Sequence, residues 1–146
     1  MNGGRILLTY KWISGEDGIE NCRALRREVF VKEQGVSLAE EEDGRDVQAV
    51  HLALYLNGEI AATARLFPEI WLVGRVAVVK RERGTGIGRN LMEEVFRYAF
   101  SHGASCVHVH AQRQAVPFYE ALGFVPAGEP FSEAGIEHLP MRKDLK

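Results

Sequence analysis

The chain has 146 residues, 46% hydrophobic and 26% charged, with a formal net charge of −2. This composition suits one folded domain over residues 1–146 and disfavours a general nucleic-acid binder. No apolar run approaches the ~20 residues of a membrane span, and Cys22 and Cys106 are too few for a disulfide framework. The N-terminus lacks a secretory pattern, so a cytoplasmic location is expected.

In chain order, Arg5 to Ile13 reads as a strand. Ile19 to Lys32 reads as a helix, with Cys22, Leu25, Val29 and Phe30 on an apolar stripe. Ser37 to Asp46 reads as a solvated polar loop carrying Glu40, Glu41, Glu42 and Asp43. Val47 to Leu56 and Glu59 to Phe67 read as strands joined by Asn57-Gly58, a dipeptide suited to the two positive φ angles of a type I′ turn. Trp71 to Val79 is a third strand. The run Arg83-Gly84-Thr85-Gly86-Ile87-Gly88-Arg89 then opens a helix from Ile87 to Phe100, with Ile87, Leu91, Val95 and Ala99 spaced by four. A strand at 105–112, a short helix from Gln114 to Leu122, and closing strands at Phe124–Ala127 and Ile136–Arg142 complete the chain, the last two around a Gly128–Gly135 loop. A helix joining strands 71–79 and 105–112 implies a parallel crossover pair. The other strands look antiparallel, so the fold class is α+β with a mixed sheet.

The glycine-rich run carries the functional signal. The first turn of a helix leaves backbone N–H groups unpaired, and the helix dipole favours an anion there. Lys80, Arg81, Arg83 and Arg89 add positive charge. A P-loop would need Gly-Lys and then Ser or Thr, which does not follow here. A GxGxxG fingerprint fails because position 89 is Arg. Counted from Arg83 the run is RxxGxG. After its V-x-V strand, this resembles the acetyl-coenzyme-A loop of the GNAT N-acetyltransferase superfamily. Ala115, Phe118, Tyr119, Gly123 and Phe124 are similar to that family's downstream A-x-x-x-Y-x-x-x-G-F pattern. Upstream, residues 26–34 (RREVFVKEQ) resemble the R-x-x-V-F-V-x-E-Q segment of the ElaA/YjcF-like branch. The tail from Phe131 through His138 to Met141 resembles that branch too, with Glu137 where Pro is usual.

The resemblance implies a fold in which two parallel strands splay and the pantetheine arm of coenzyme A lies between them. It implies that Val76, Ala77 and Val78 offer backbone groups to that arm, and that Arg83, Gly84, Thr85, Gly86, Ile87, Gly88 and Arg89 cradle the pyrophosphate. Phe118 joins the cofactor contacts, and Gln112, where Asn is usual, keeps an amide there on a longer arm. Tyr119 matches the family's general acid. Glu33 and His110 are candidate acceptor contacts. His108 and His110 lack a further ligand, so no metal is expected. Glu41-x-Asp43-x-x-Asp46 resembles an acidic pattern of acyl-homoserine-lactone synthases; a solvated loop is the expected reading, and a functional one would attract a cation. The implied activity is direct transfer of an acetyl group from acetyl-coenzyme A to a primary amine, on a small molecule or a peptide, with a homodimer as the family habit. A non-catalytic acyl-coenzyme-A sensor and a homoserine-lactone-type synthase stand as alternatives.

Overall fold

The computed structural model describes residues 6–146; Arg5, the expected start of the first strand, lies outside them. The strands are β1 (Leu8–Ser14), β2 (Val50–Leu56), β3 (Glu59–Phe67), β4 (Leu72–Val78), β5 (Cys106–Gln112), β6 (Val125–Pro126), β7 (Phe131–Glu133) and β8 (Ile136–Asp144). They form one sheet in the order β1-β2-β3-β4-β5-β8-β6, with β7 paired to β8. Pairing is antiparallel except between β4 and β5. Asn57 and Gly58 both take positive φ (52° and 87°), as the β2–β3 hairpin requires. β7 falls inside the expected 128–135 loop, where Ala134 and Gly135 also take positive φ (53° and 74°) and close a second hairpin.

The helices are α1 (Glu20–Arg26), α2 (Leu38–Glu41), α3 (Ile87–Ser101) and α4 (Val116–Ala121). They use both sheet faces, because strand side chains alternate. Leu52 and Leu54 of β2 pack with Leu91, Met92 and Val95 of α3. Ala53, between them, packs with Cys22 under α1. Leu91, Met92 and Val95 are fully buried, each contributing about 1.5–3 kcal/mol by leaving water.

Three irregularities shape the site. The expected helix from Ile19 to Lys32 is α-helical only to Arg26, and Arg27–Glu33 is a π-helical stretch. Gln34 N–H there bonds Val29 C=O, five residues back, at 3.1 Å. Next, the β3–β4 register shifts between Thr63 and Arg65, so β4 carries an extra residue. That is a bulge, and Arg75 within it sits at φ 49°, a strained value for a non-glycine residue. Finally, β4 and β5 pair only at Leu72↔His108 and Val73↔Val109. Beyond that point the parallel strands separate, and residues 74–78 of β4 have no strand partner on the β5 side.

Candidate active site

The glycine-rich loop lies at one end of this gap. Gly86 caps α3 at φ 92°, a left-handed value that glycine adopts readily, and no side chain caps the helix. Among the described residues, no hydrogen bond uses the backbone N–H groups of residues 84–89; the first α3 bond is Asn90 N–H to Gly86 C=O at 3.0 Å. Six donors therefore stand free at a helix N-terminus. A Cβ on Gly88 would lie 3.3 Å from the Phe118 ring and 3.6 Å from Val78 Cγ2, so glycine lets α3 seat against β4 and α4.

The gap widens into a cleft of about 1010 Å³. It is lined by Val76, Ala77, Val78, Arg83, Gly84, Gly86, Gly88, Arg89, Gln112, Phe118 and Tyr119, and also by Glu33 and His110. Two expected members do not line it. Ile87 turns into the core at 6% exposure, and Thr85 donates its hydroxyl to Glu82 C=O at 2.6 Å. Only their main-chain N–H groups face the anion problem. Val79 N–H bonds Ala61 C=O at 2.8 Å. By the alternation of an antiparallel ladder, the neighbouring Val78 turns its own N–H and C=O away from β3. Arg83 Nε donates to that carbonyl at 3.0 Å.

Two side-chain bridges cross the cleft from the end of the π-helical stretch. Arg83 Nη2 donates to Glu33 Oε1 at 2.7 Å. Gln112 Nε2 donates to Gln34 Oε1 at 2.9 Å, and Gln114 Nε2 donates to Gln112 Oε1 at 2.6 Å. Tyr119 is buried, with its ring edge-on to Phe118 and Phe124 at centroid distances of 5.1 and 5.3 Å. Its hydroxyl has no hydrogen-bond partner among the described residues, and burial pushes its pKa above the ordinary tyrosine value.

The far wall is imidazole and aromatic. His110 stands edge-on to Phe131 at 5.1 Å, and Phe131 stacks on His138 at 5.6 Å. His138 Nδ1 lies 2.8 Å from Ile136 C=O. A carbonyl only accepts, so Nδ1 carries a proton. Burial lowers the His110 pKa, which favours the neutral ring at pH 7. Among the described residues, no group of three His, Cys, Asp or Glu side chains is arranged to hold a metal ion. His108 lies outside the cleft lining, with Nε2 3.4 Å from the half-buried Cys106 Sγ.

The expectation of a solvated acidic loop fails for Glu41 and Asp46, whereas Glu40, Glu42 and Asp43 are exposed. Ser37 caps α2 by accepting Glu40 N–H at 3.1 Å, and the segment folds back over the sheet. Glu41 is 1% and Asp46 5% exposed. Arg26, itself 1% exposed, donates from Nε to Glu41 at 2.6 Å and from both Nη atoms to Asp46 at 3.0 and 3.2 Å. Arg65 bonds Asp43 through both Nη atoms at 2.9 Å, and Asp46 at 3.1 Å. Burial alone would raise the Asp46 carboxyl, but the guanidiniums of Arg26, Arg65 and Arg23 outweigh it and hold the pKa far below the usual range. The acids were read as solvated because their partners lie on α1, β3 and β4, remote in sequence. One signal was available: Arg65 interrupts the apolar run of β3, and a charge there needs a buried counter-charge.

The comparisons agree with this geometry. Residues 15–145 match the family described as acetyltransferase (GNAT) domain. The Bacillus subtilis protein named as an uncharacterized N-acetyltransferase, YjcF, is 37% identical over 88% of this chain and 94% of its own. The crystal structure of an acyl-CoA N-acyltransferase from Pseudomonas aeruginosa superposes with a TM-score of 0.83 at 31% identity, over 94% of this chain and 99% of that one. That of Escherichia coli ElaA superposes with a TM-score of 0.82 at 26% identity, over 94% and 100%. By sequence and by fold, the chain belongs to the GNAT N-acetyltransferases, in the branch that includes ElaA and YjcF.

Proposed function

We propose that the protein moves an acetyl group from acetyl-coenzyme A to a primary amine by direct attack in a ternary complex. The observation that carries this reading is the juxtaposition of six free N–H donors at the α3 N-terminus with the β4–β5 gap. The loop takes the pyrophosphate, where charge-assisted hydrogen bonds are worth roughly 1.5–3 kcal/mol each. The pantetheine runs along the unpaired edge of β4, recognised through main-chain groups. Gln112 and Phe118 complete that channel.

Each chemical step has a group to serve it. A lysine-like amine must first lose a proton, at a cost of roughly 4.6 kcal/mol at pH 7. Neutral His110 and the carboxylate of Glu33 line the acceptor side and take that role in this reading. The amine nitrogen then bonds the thioester carbonyl carbon, and charge builds on its oxygen beside the Val78 N–H. The attacking nitrogen gives up its second proton to the same base or to water, and collapse breaks the carbon–sulfur bond and sends the electron pair to sulfur. Tyr119 steadies the departing thiolate. A tyrosine pKa raised above about 10 makes full proton transfer to a thiolate of pKa about 8.5 uphill, so the hydroxyl acts as a hydrogen-bond donor.

The test is coenzyme A release, followed by thiol titration and by mass of the acetylated product, across a panel of primary amines. Amine-dependent release is expected. Tight acetyl-coenzyme-A binding with no turnover on any amine would instead mean a sensor.

A further inference from the structure

Four arginines, Arg23, Arg26, Arg65 and Arg75, meet the buried acids, and Arg75 is the least used of the three that donate from beside Glu41 and Asp43. Arg26 donates from Nε and both Nη atoms. Arg65, 4% exposed, donates from both Nη atoms. Arg75, 21% exposed, donates only from Nη2, to Glu40 C=O, Glu41 C=O and Asp43 Oδ2 at 3.1, 3.2 and 3.3 Å. Its Nε lies 3.3 Å from Glu41 Oε1 without hydrogen-bond geometry. Its Nη1 donates to nothing among the described residues.

Arg75 lines the cleft, and so does Gly74 beside it. A Cβ on Gly74 would meet nothing within 4 Å, so the cleft is open beside the backbone that carries Arg75. The bulge that aims Arg75 holds it at φ 49°, and strain of this kind persists where surrounding structure enforces it and clusters at functional sites. Asp43 is committed to Arg65 through both its oxygens and Glu41 to Arg26 through one, while Glu41 Oε2 is buried without a partner; Arg75 Nη1 is the unused donor here. Burial and the like charge of Arg65 both disfavour the Arg75 cation, a cost that an added anion offsets.

We propose that Arg75 is a specificity-determining residue that binds a carboxylate on the acceptor, making the acceptor an amino acid or a closely related amino-carboxylic acid. A dianionic phosphate fits less well, because Asp43 Oδ2 already sits 3.3 Å from Arg75 Nη2. This rests on the acetyltransferase reading, since it assigns the amine-binding end of the same cleft.

The experiment pairs amines that differ only in the acid: amino acids, their amides and their decarboxylated analogues, with phosphoethanolamine as the phosphate arm. The acid of at least one pair should show kcat/KM tenfold or more above its amide. Arg75→Gln should raise KM for that acid at least tenfold and collapse the preference, Arg75→Lys should restore part of it, and retained acetyl-coenzyme-A binding certifies the fold of each variant. Thermal shifts of coenzyme-A-loaded wild type by N-acetyl amino acids, against their amides, read the same preference without turnover. Equal use of acids and amides, preference for phosphoethanolamine, or a preference that survives Arg75→Gln would overturn the proposal. Absence of acetyl-coenzyme-A binding by folded wild type would instead remove the reading beneath it.

Discussion

The two ends of the cleft are built on opposite principles. The end proposed for the cofactor offers main-chain N–H groups from six consecutive residues at a helix terminus, with little side-chain chemistry. The end proposed for the acceptor uses side chains from α1, α2, β3 and β4, interlocked as a buried charge network. The cofactor end tolerates side-chain change so long as the backbone can turn and the ligand can approach. The acceptor end tolerates little, because each member neutralises another out of water.

The sharpest way to break the comparison is Arg26→Ala, which strands Glu41 and Asp46 without their main partner. Loss of about 3–5 kcal/mol is expected from breaking a buried pair, read as a fall in the urea midpoint. A loss under ~1 kcal/mol, typical of surface pairs, would mean the network is not interlocked. Tyr119→Phe comes next. The hydroxyl has no partner among the described residues, so stability should stay within about 0.5 kcal/mol of wild type, while kcat falls on the order of 10²-fold. Equal turnover would remove Tyr119 from the chemistry.

The pH dependence follows in size. Asp43 and Asp46 have folded pKa values below their unfolded ones. Their stabilisation is therefore complete above the ordinary carboxylate pKa of about 4 and is lost as pH falls toward the folded values. Thermal melts from pH 6 to pH 2 should drop on the acid side, and Asp46→Asn, itself less stable at pH 6, should flatten that drop. An unchanged acid slope in the variant would contradict the assignment. The smallest effect is expected for Glu33→Gln. Its pair with Arg83 is partly exposed at 28% and 42%, so less than about 1 kcal/mol of stability should be lost, with a larger change in KM for the amine.

Legibility from sequence follows the same division. The glycine loop, the β2–β3 hairpin and the α3 stripe are local patterns, and the structure places them as expected. The parallel β4–β5 pair follows from its helical crossover. The π-helical stretch, the bulge at Arg75 and the β7–β8 hairpin were not seen. Nothing in Arg27–Glu33 breaks helical periodicity, and a bulge is a relation between two strands. The acidic segment is opaque for a related reason: Glu41 and Asp43 look as solvated as Glu40 and Glu42 until Arg26, Arg65 and Arg75 are brought beside them. Thr85 and Ile87 were assigned to the cradle by motif, yet a motif does not say which atoms of a residue face the ligand.

The most direct test of the central claim is calorimetric titration of acetyl-coenzyme A into wild type and Gly86→Glu. The substitution puts bulk and negative charge among the free N–H groups, where a Cβ meets nothing of the protein within 4 Å, though φ 92° will cost some stability; circular dichroism monitors the fold. Micromolar binding by wild type, lost in the folded variant, is the predicted result. A folded wild type that does not bind, or a variant that binds as tightly, would contradict the account.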